Sequence, residues 1–380
     1  MKKVYLLVIA SVLSLVSVAQ YSTHSFTFGA ETRQYLLYVP PSYDGSEAVP
    51  FVLVLHGLGD NMNNFKGVRF EDVADTANFI FAIPQALVDN VITGSTAWNS
   101  GAGAFGITLN SNVDDVGFLN AIMDSTSAAY NIDQTRLYST GFSMGGFMTN
   151  RLGCELNNRI AAIASVSGTI GSGITCNPSR VVPACHFHGT SDGTVAYSGN
   201  MFGNDAEALV EYWRGHDQCD VQPASVDTFP HISGDTLRVV HFVYPNGAYG
   251  SDVEFYKVLG GAHQWLGPYG DDVNYALEIW KFFRRYKWEP QTAAGISEST
   301  LRAATKIYPN PAAGELHISL DGAHADGLTI TLRDMTGRMI YTAQGAADIS
   351  ISTVNFARGV YTVEIAADGQ RYNSKVAIAD

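Results

Sequence analysis

Hydrophobic and polar positions along the chain follow two different rhythms. From Thr23 to about Trp288, short apolar runs alternate with stretches whose apolar residues recur at helical spacing. The runs at 33–39 (RQYLLYV), 51–56, 79–83, 136–140, 161–168, 181–187 and 237–244 read as strands, since a few apolar or β-branched residues bounded by turn formers suit a buried strand. Segments 114–130, 144–157, 205–216 and 271–287 read as helices. Buried strands separated by amphipathic helices predict an α/β domain, a mostly parallel sheet with helices on both faces and ligands at the strands' carboxyl ends. The segment 84–112, rich in Gly, Ser and Asn with Trp98 in its middle, interrupts this rhythm. A connection that long inside a compact domain is expected to be functional or disordered.

Beyond Trp288 the pattern changes. Residues 289–304 are polar and small and predict a linker, while 305–380 carry short alternating runs with Gly and Asp turns, the signature of a small C-terminal β-sandwich. At the other end, residues 1–19 combine Lys2 and Lys3 with an apolar run and small residues at Ser17 and Ala19, which predicts a cleaved secretory signal. No later stretch is apolar for long enough to span a bilayer, so no stable membrane insertion is expected. The catalytic portion is then 20–288.

Charge narrows the partners. The formal net charge of −13 becomes about −15 once the leader's two lysines are removed, and such a balance disfavours nucleic acid, whose phosphates it would repel. The four cysteines, Cys154, Cys176, Cys185 and Cys219, allow three complete pairings, among which the sequence does not choose.

The chemistry centres on RLYSTGFSMGGFMTNRLG, residues 136–153. Gly141, Ser143 and Gly145 spell G-x-S-x-G where an apolar strand gives way to helical spacing, the context of a nucleophile elbow. A serine that merely caps the helix is the competing reading. If Ser143 is a nucleophile, an acid and then a histidine must follow in the chain. Asp192, in the turn after strand 181–187, and His263, in the Gly-rich loop GGAHQW, stand in that order at strand ends. Among ten histidines, His263 is the best placed. His186 and His188 beside Cys185 could suggest a metal site, but a strand supplies them no third ligand, and His188 fits better as support for the acid loop. The Gly-rich turn after strand 51–56 offers the backbone N–H of Leu58 which, with that of Met144 after the nucleophile, can form an oxyanion hole. Asp114 suits an N-cap for the helix that follows.

Taken together, LHGLGDN, AWNSG followed by VDDVGFL, GFSMGGFMTNRLGCE, FHGTSDGTVAY and GGAHQWLG resemble the secreted esterases related to polyhydroxybutyrate depolymerases and feruloyl esterases, in the α/β-hydrolase superfamily. The resemblance covers about residues 25–285 and implies a Ser143–Asp192–His263 triad, with Leu58 and Met144 as oxyanion donors and Trp98 and Trp265 lining the substrate pocket. It implies a serine carboxylic-ester hydrolase that needs no cofactor or metal. The expected substrates are feruloyl or acetyl esters on plant cell-wall polysaccharide; a polyester such as polyhydroxybutyrate is the alternative, and a catalytically inactive surface binding protein is the alternative of another class. The C-terminal portion, through YPNPA, DMTGR, FARGVYTVEI and SKVAIA, resembles the sorting domain of the type IX (Por) secretion system, with a carbohydrate-binding sandwich as its rival. That resemblance implies the secretion machinery as a partner and a secreted or cell-surface location.

Overall fold

The protein is described from a computed structural model covering residues 20–104, 107–231, 237–268, 271–288, 305–320, 328–335, 338–344, 348–367 and 370–379. The proposed leader and linker lie outside these residues. The chain divides into two compact units, Met1–Glu289 and Pro290–Asp380.

In the first unit the strands are β1 (Gln20–Phe28), β2 (Glu31–Val39), β3 (Val49–Leu55), β4 (Ile80–Pro84), a small hairpin of β5 (Gly103–Ala104) and β6 (Ile107–Thr108), then β7 (Ile132–Phe142), β8 (Ile160–Val166), β9 (Ala184–Gly189), β10 (Ser225–Thr228), β11 (Arg238–Tyr244) and β12 (Val253–Leu259). The helices are α1 (Phe70–Ala77), α2 (Asp115–Ala129), α3 (Met144–Glu155), α4 (Ala206–His216) and α5 (Tyr275–Phe283). All strands except the hairpin form one sheet in the order β1-β2-β4-β3-β7-β8-β9-β12-β11-β10. Its centre, from β4 to β12, is parallel, and both edges are antiparallel.

Alternation along the central strands makes the two-sided core. In β3, Phe51, Leu53 and Leu55 pack with α2, α3 and α4, whereas Val52 and Val54 face α1 and α5. All seven residues of β3 are buried, which is why the run is continuously apolar. Cys154 of α3 forms a disulfide with Cys176, and Cys185 and Cys219 are free and buried. No helix among the described residues is long and apolar enough to cross a membrane.

The second unit contains β13 (Thr305–Tyr308), β14 (Glu315–Leu320), β15 (Thr329–Arg333), β16 (Met339–Gln344), β17 (Asp348–Ser352), β18 (Gly359–Ala367) and β19 (Gln370–Ile378). They form a three-stranded sheet, β13-β14-β17, and a four-stranded sheet, β16-β15-β18-β19, both antiparallel. Leu316 and Ile318 of the first sheet share one core with Leu332, Val363 and Ile365 of the second.

Candidate active site

Ser143 sits between the end of β7 and the start of α3 with φ 54° and ψ −120°. Such a conformation costs a non-glycine residue on the order of 1–3 kcal/mol. Its N–H donates to Val166 O (2.8 Å), its C=O accepts from Phe147 N (3.0 Å), and its side chain makes no capping bond to α3. The helix-cap reading therefore does not describe it. The flanking glycines are sterically required: a Cβ on Gly145 would lie 2.0 Å from Leu55 O, and one on Gly141 would lie 2.5 Å from Gly145 O. Close approach of β3 to the start of α3 is what excludes larger residues.

Asp192 and His263 come together at the ends of β9 and β12. His263 Nδ1 lies 2.8 Å from Asp192 Oδ2, while the N–H groups of Thr194 and Val195 donate to Asp192 Oδ1 at 2.9 Å each. Burial pushes the Asp192 carboxyl up, but these hydrogen bonds and the charge of His263 outweigh it and hold the group below its ordinary value. The two loops are also tied through their backbones: Thr190 N donates to Val258 O and Ser191 N to Gly261 O, both at 2.9 Å. A Cβ on Gly189 would meet Gly261 O at 2.2 Å, so the tie depends on that glycine. The Phe142 ring, next to Ser143, stands 4.7 Å from the His263 ring.

The turn after β3 reaches the same place. Gly57 lies against Ser143, since a Cβ added there would be 3.3 Å from Ser143 Cβ. Ala86 N–H donates to Nε2 of the buried His56 at 3.1 Å, so Nδ1 carries the ring proton and donates to Gly57 O at 2.8 Å. Burial lowers the His56 pKa and keeps that neutral tautomer. Asp60 N also donates to Gly57 O (3.3 Å). In a trans peptide the C=O and N–H point opposite ways, so fixing Gly57 O turns the Leu58 N–H away from both donors. The Leu58 side chain is 44% exposed, and Met144 is buried at the start of α3.

Trp98 requires a correction. It is fully buried, its Nε1 donates to His56 O (2.8 Å) and its backbone N–H meets Met144 Sδ (3.3 Å). A side chain with no exposed area offers no face to a ligand; Trp98 supports the His56–Gly57 turn from behind. Trp265 is only partly buried, two residues from His263, with its ring edge-on to Phe65 (6.0 Å) and Tyr275 (5.9 Å).

The long segment 84–112 is held by polar residues turned inward. Asp89 accepts from Ile92 N and Thr93 N, Asn110 Nδ2 donates to Leu87 O and Ala97 O, and Asn99 Nδ2 donates to Val113 O and Ser111 O. Asp114 caps α2 by accepting from Gly117 N (2.8 Å), as its position suggested. Its neighbour Asp115, part of the VDDVGFL stretch but given no role from the sequence, is the buried anchor: it accepts from Arg33 Nη2 and Asn99 N, both at 2.7 Å. Arg151 Nη1 donates to Asn99 O (2.5 Å). His56, Arg33, Asp115 and Arg151 thus fix the loops around Ser143 without having been singled out. The consecutive aspartates and the histidine beginning HGLG were the available signals. Among the described residues no group of three or more His, Cys, Asp or Glu side chains is arranged to hold a metal.

Residues 43–226 match the phospholipase/carboxylesterase family, and residues 306–379 match the secretion system C-terminal sorting domain. The chain is 26% identical over 248 residues to a bifunctional acetylxylan esterase/xylanase of Neocallimastix patriciarum, covering 65% of this chain but 32% of that protein. It is 26% identical over 280 residues to feruloyl esterase D of Neurospora crassa, covering 70% of this chain and 86% of that protein. Among solved structures, a CE1 ferulic acid esterase from Anaeromyces mucronatus superposes with a TM-score of 0.46 at 14% identity, covering 72% of this chain and 92% of that one. The catalytic unit has the α/β-hydrolase fold, with residues 43–226 similar to the phospholipase/carboxylesterase family, and the C-terminal sorting domain directs the chain through type IX secretion to the cell surface or the extracellular space.

Proposed function

We propose that this chain is a serine carboxylic-ester hydrolase in which Ser143, Asp192 and His263 act as nucleophile, orienting acid and general base. The observation that carries the reading is the 2.8 Å pairing of His263 Nδ1 with Asp192 Oδ2 on the sheet edge where Ser143 stands at positive φ, uncommitted to capping. With Nδ1 engaged by the carboxylate, Nε2 is the nitrogen left to take the Ser143 proton as Oγ attacks the ester carbonyl. The N–H groups of Leu58 and Met144 receive the developing oxyanion, His263 returns the proton to the leaving alcohol, and water then releases the acyl group by the same steps in reverse. Asp192 stays ionised throughout, consistent with its lowered pKa.

The substrates proposed are feruloyl and acetyl esters of plant cell-wall polysaccharide. The similarity to a feruloyl esterase and to an acetylxylan esterase supports this choice, and Trp265 is the aromatic side chain offered to the ligand. The test is a panel of methyl ferulate, aryl acetates, acetylated xylan and polyhydroxybutyrate film, run with the purified chain and with Ser143→Ala. Loss of at least about a thousandfold in Ser143→Ala is expected, as for a triad acting as a unit. Film clearing without hydrolysis of soluble esters would move the assignment to polyester, and a chain that neither turns over esters nor labels with a fluorophosphonate would be a binding protein.

A further inference from the structure

Behind the acid loop lies a file of buried polar groups that the proposed reaction does not use. Ser165 Oγ is 2.8 Å from His186 Nδ1, His186 Nε2 is 3.0 Å from His188 Nδ1, and His188 Nε2 is 2.8 Å from Val195 O. Ser165, His186 and His188 are all essentially without solvent exposure. The file ends where it matters: Val195 N–H donates to Asp192 Oδ1, and His188 Nε2 stands 3.5 Å from Asp192 Oδ2, the oxygen that also faces His263.

The directions of these bonds follow from one fixed end. A carbonyl oxygen only accepts, so His188 Nε2 carries a proton and donates to Val195 O. In neutral His188 the other nitrogen, Nδ1, then accepts from His186 Nε2–H. That leaves His186 Nδ1 to accept from the Ser165 hydroxyl. Every ring nitrogen is satisfied with both imidazoles neutral. To charge His188, His186 must move its proton from Nε2 to Nδ1 and the Ser165 hydroxyl must turn round to accept it. A cation would also be created out of reach of water.

We infer that His186 and His188 are positioning residues for the acid of the triad: the file from Ser165 to Val195 locks His188 as a neutral Nε2–H donor, which closes the loop around Asp192 and leaves the carboxylate's charge to His263. The inference rests on the triad reading given above. A cationic His188 at the same place would compete with His263 for Asp192 and weaken its hold on the imidazolium formed in the reaction. The other groups facing His188 are His263 from the loop after β12, Asp205 at the start of α4, and the Tyr197 ring at 5.8 Å. The Tyr197 hydroxyl donates to Glu207, which also pairs with Lys257 of β12. His186 stacks on Phe255 at 5.8 Å, so β12 presents an apolar wall there. Burial lowers the pKa of both histidines, in the same direction as the bonding argument.

The test combines a spectrum that needs no turnover with a kinetic series on the full chain. In histidine-selective ¹⁵N spectra, with the His188 signal assigned by its loss in His188→Gln, His188 is expected to remain a neutral Nε2–H tautomer from about pH 5.5 to 9, across the ordinary histidine range. A His188 signal that titrates in that interval, or one with its proton on Nδ1, overturns the inference. His188→Leu should lower kcat by on the order of a hundredfold with little change in KM, as expected when a reacting group is displaced by about 1 Å. His188→Gln, whose amide can still donate to Val195 O but cannot become cationic, should recover most of that loss. His186→Phe keeps the stack on Phe255, removes the donor to His188 Nδ1, and should add an acid-side inflection to the pH profile of kcat. Folded His188→Leu with unchanged kcat, folded His188→Gln no better than His188→Leu, or a wild-type pH profile in folded His186→Phe each refutes the role. An inactive wild-type chain with the expected spectrum would instead count against the esterase reading, leaving the lock itself intact.

Discussion

Replacing Trp98 by Phe separates a residue of the core from one that lines a pocket. The substitution keeps a ring but deletes the Nε1–H that donates to His56 O at 2.8 Å, in a place with no solvent exposure. A buried carbonyl left without its donor costs about 1–3 kcal/mol, and the smaller ring leaves a void worth about another 1 kcal/mol. A domain of this size loses roughly 2–4 °C of Tm per kcal/mol, so a drop of about 4–16 °C is expected. The kinetic effect should not depend on the acyl group. Trp98 supports the His56–Gly57 turn, so its loss loosens the proposed oxyanion donor and should lower kcat for methyl ferulate and for an aryl acetate by similar factors. Thermal melting of the purified chain, with steady-state kinetics on both esters, measures each part. An unchanged Tm together with a rise in KM confined to the feruloyl ester would show that the indole faces the ligand, and would refute the placement in the core.

Three further outcomes follow from the packing. Gly145→Ala puts a Cβ 2.0 Å from Leu55 O, so the elbow must open; a stability loss of at least about 1–3 kcal/mol and near-complete loss of turnover are expected in denaturant titration and ester assays. Asp115→Asn leaves the buried Arg33 guanidinium without its counter-charge and should cost about 3–5 kcal/mol, measured by chemical denaturation. Asp192 has a folded pKa below the unfolded value of 3.8, so its contribution to stability is complete above the unfolded value and is lost as pH falls through the folded one. The stability gap between wild type and Asp192→Asn should therefore hold steady above about pH 5 and narrow below about pH 4; a gap independent of pH down to 2 would show that the carboxyl is not perturbed.

The elements that carry the proposed triad were legible because they are the ones that obey simple periodicity. Fully buried parallel strands and the helices over them leave continuous or amphipathic runs, and G-x-S-x-G is imposed by the steric fit of Gly141 and Gly145 against β3 and α3. What escaped is instructive in the same terms. β1 is an edge strand in which Tyr21 and Phe26 are separated by the polar run Ser22 to Ser25, and it carries no continuous apolar run. α1 is only eight residues long and begins directly after a short 3₁₀ turn, too brief for its period to stand out. The length of segment 84–112 and its wealth of Gly, Ser and Asn do not reveal how it packs. In the structure Asp89, Asn99 and Asn110 turn inward to satisfy its own backbone, and Trp98 is sealed beneath them. Composition identifies polar side chains, but not which way they point. The pairing of Cys154 with Cys176 was likewise beyond reach, since it depends on the loop after β8 returning to α3.

Strand order explains why the groups proposed for catalysis need so much hidden support. Ser143, Asp192 and His263 follow β7, β9 and β12, and in the sheet β8 stands between the first two. β8 contributes no group to the proposed chemistry, yet it binds both neighbours: Val166 O accepts from Ser143 N, and Ser165 starts the file that reaches the Asp192 loop. The strained serine persists because backbone and side-chain contacts on several sides fix it, and strain of about 1–3 kcal/mol is tolerable only where the surroundings leave no relaxed alternative. A change in this buried framework should therefore alter rate for every substrate alike. Discrimination between substrates must lie instead in side chains that reach solvent, such as Leu58 and the partly exposed Trp265, whose contacts with a ligand are not already committed to the fold.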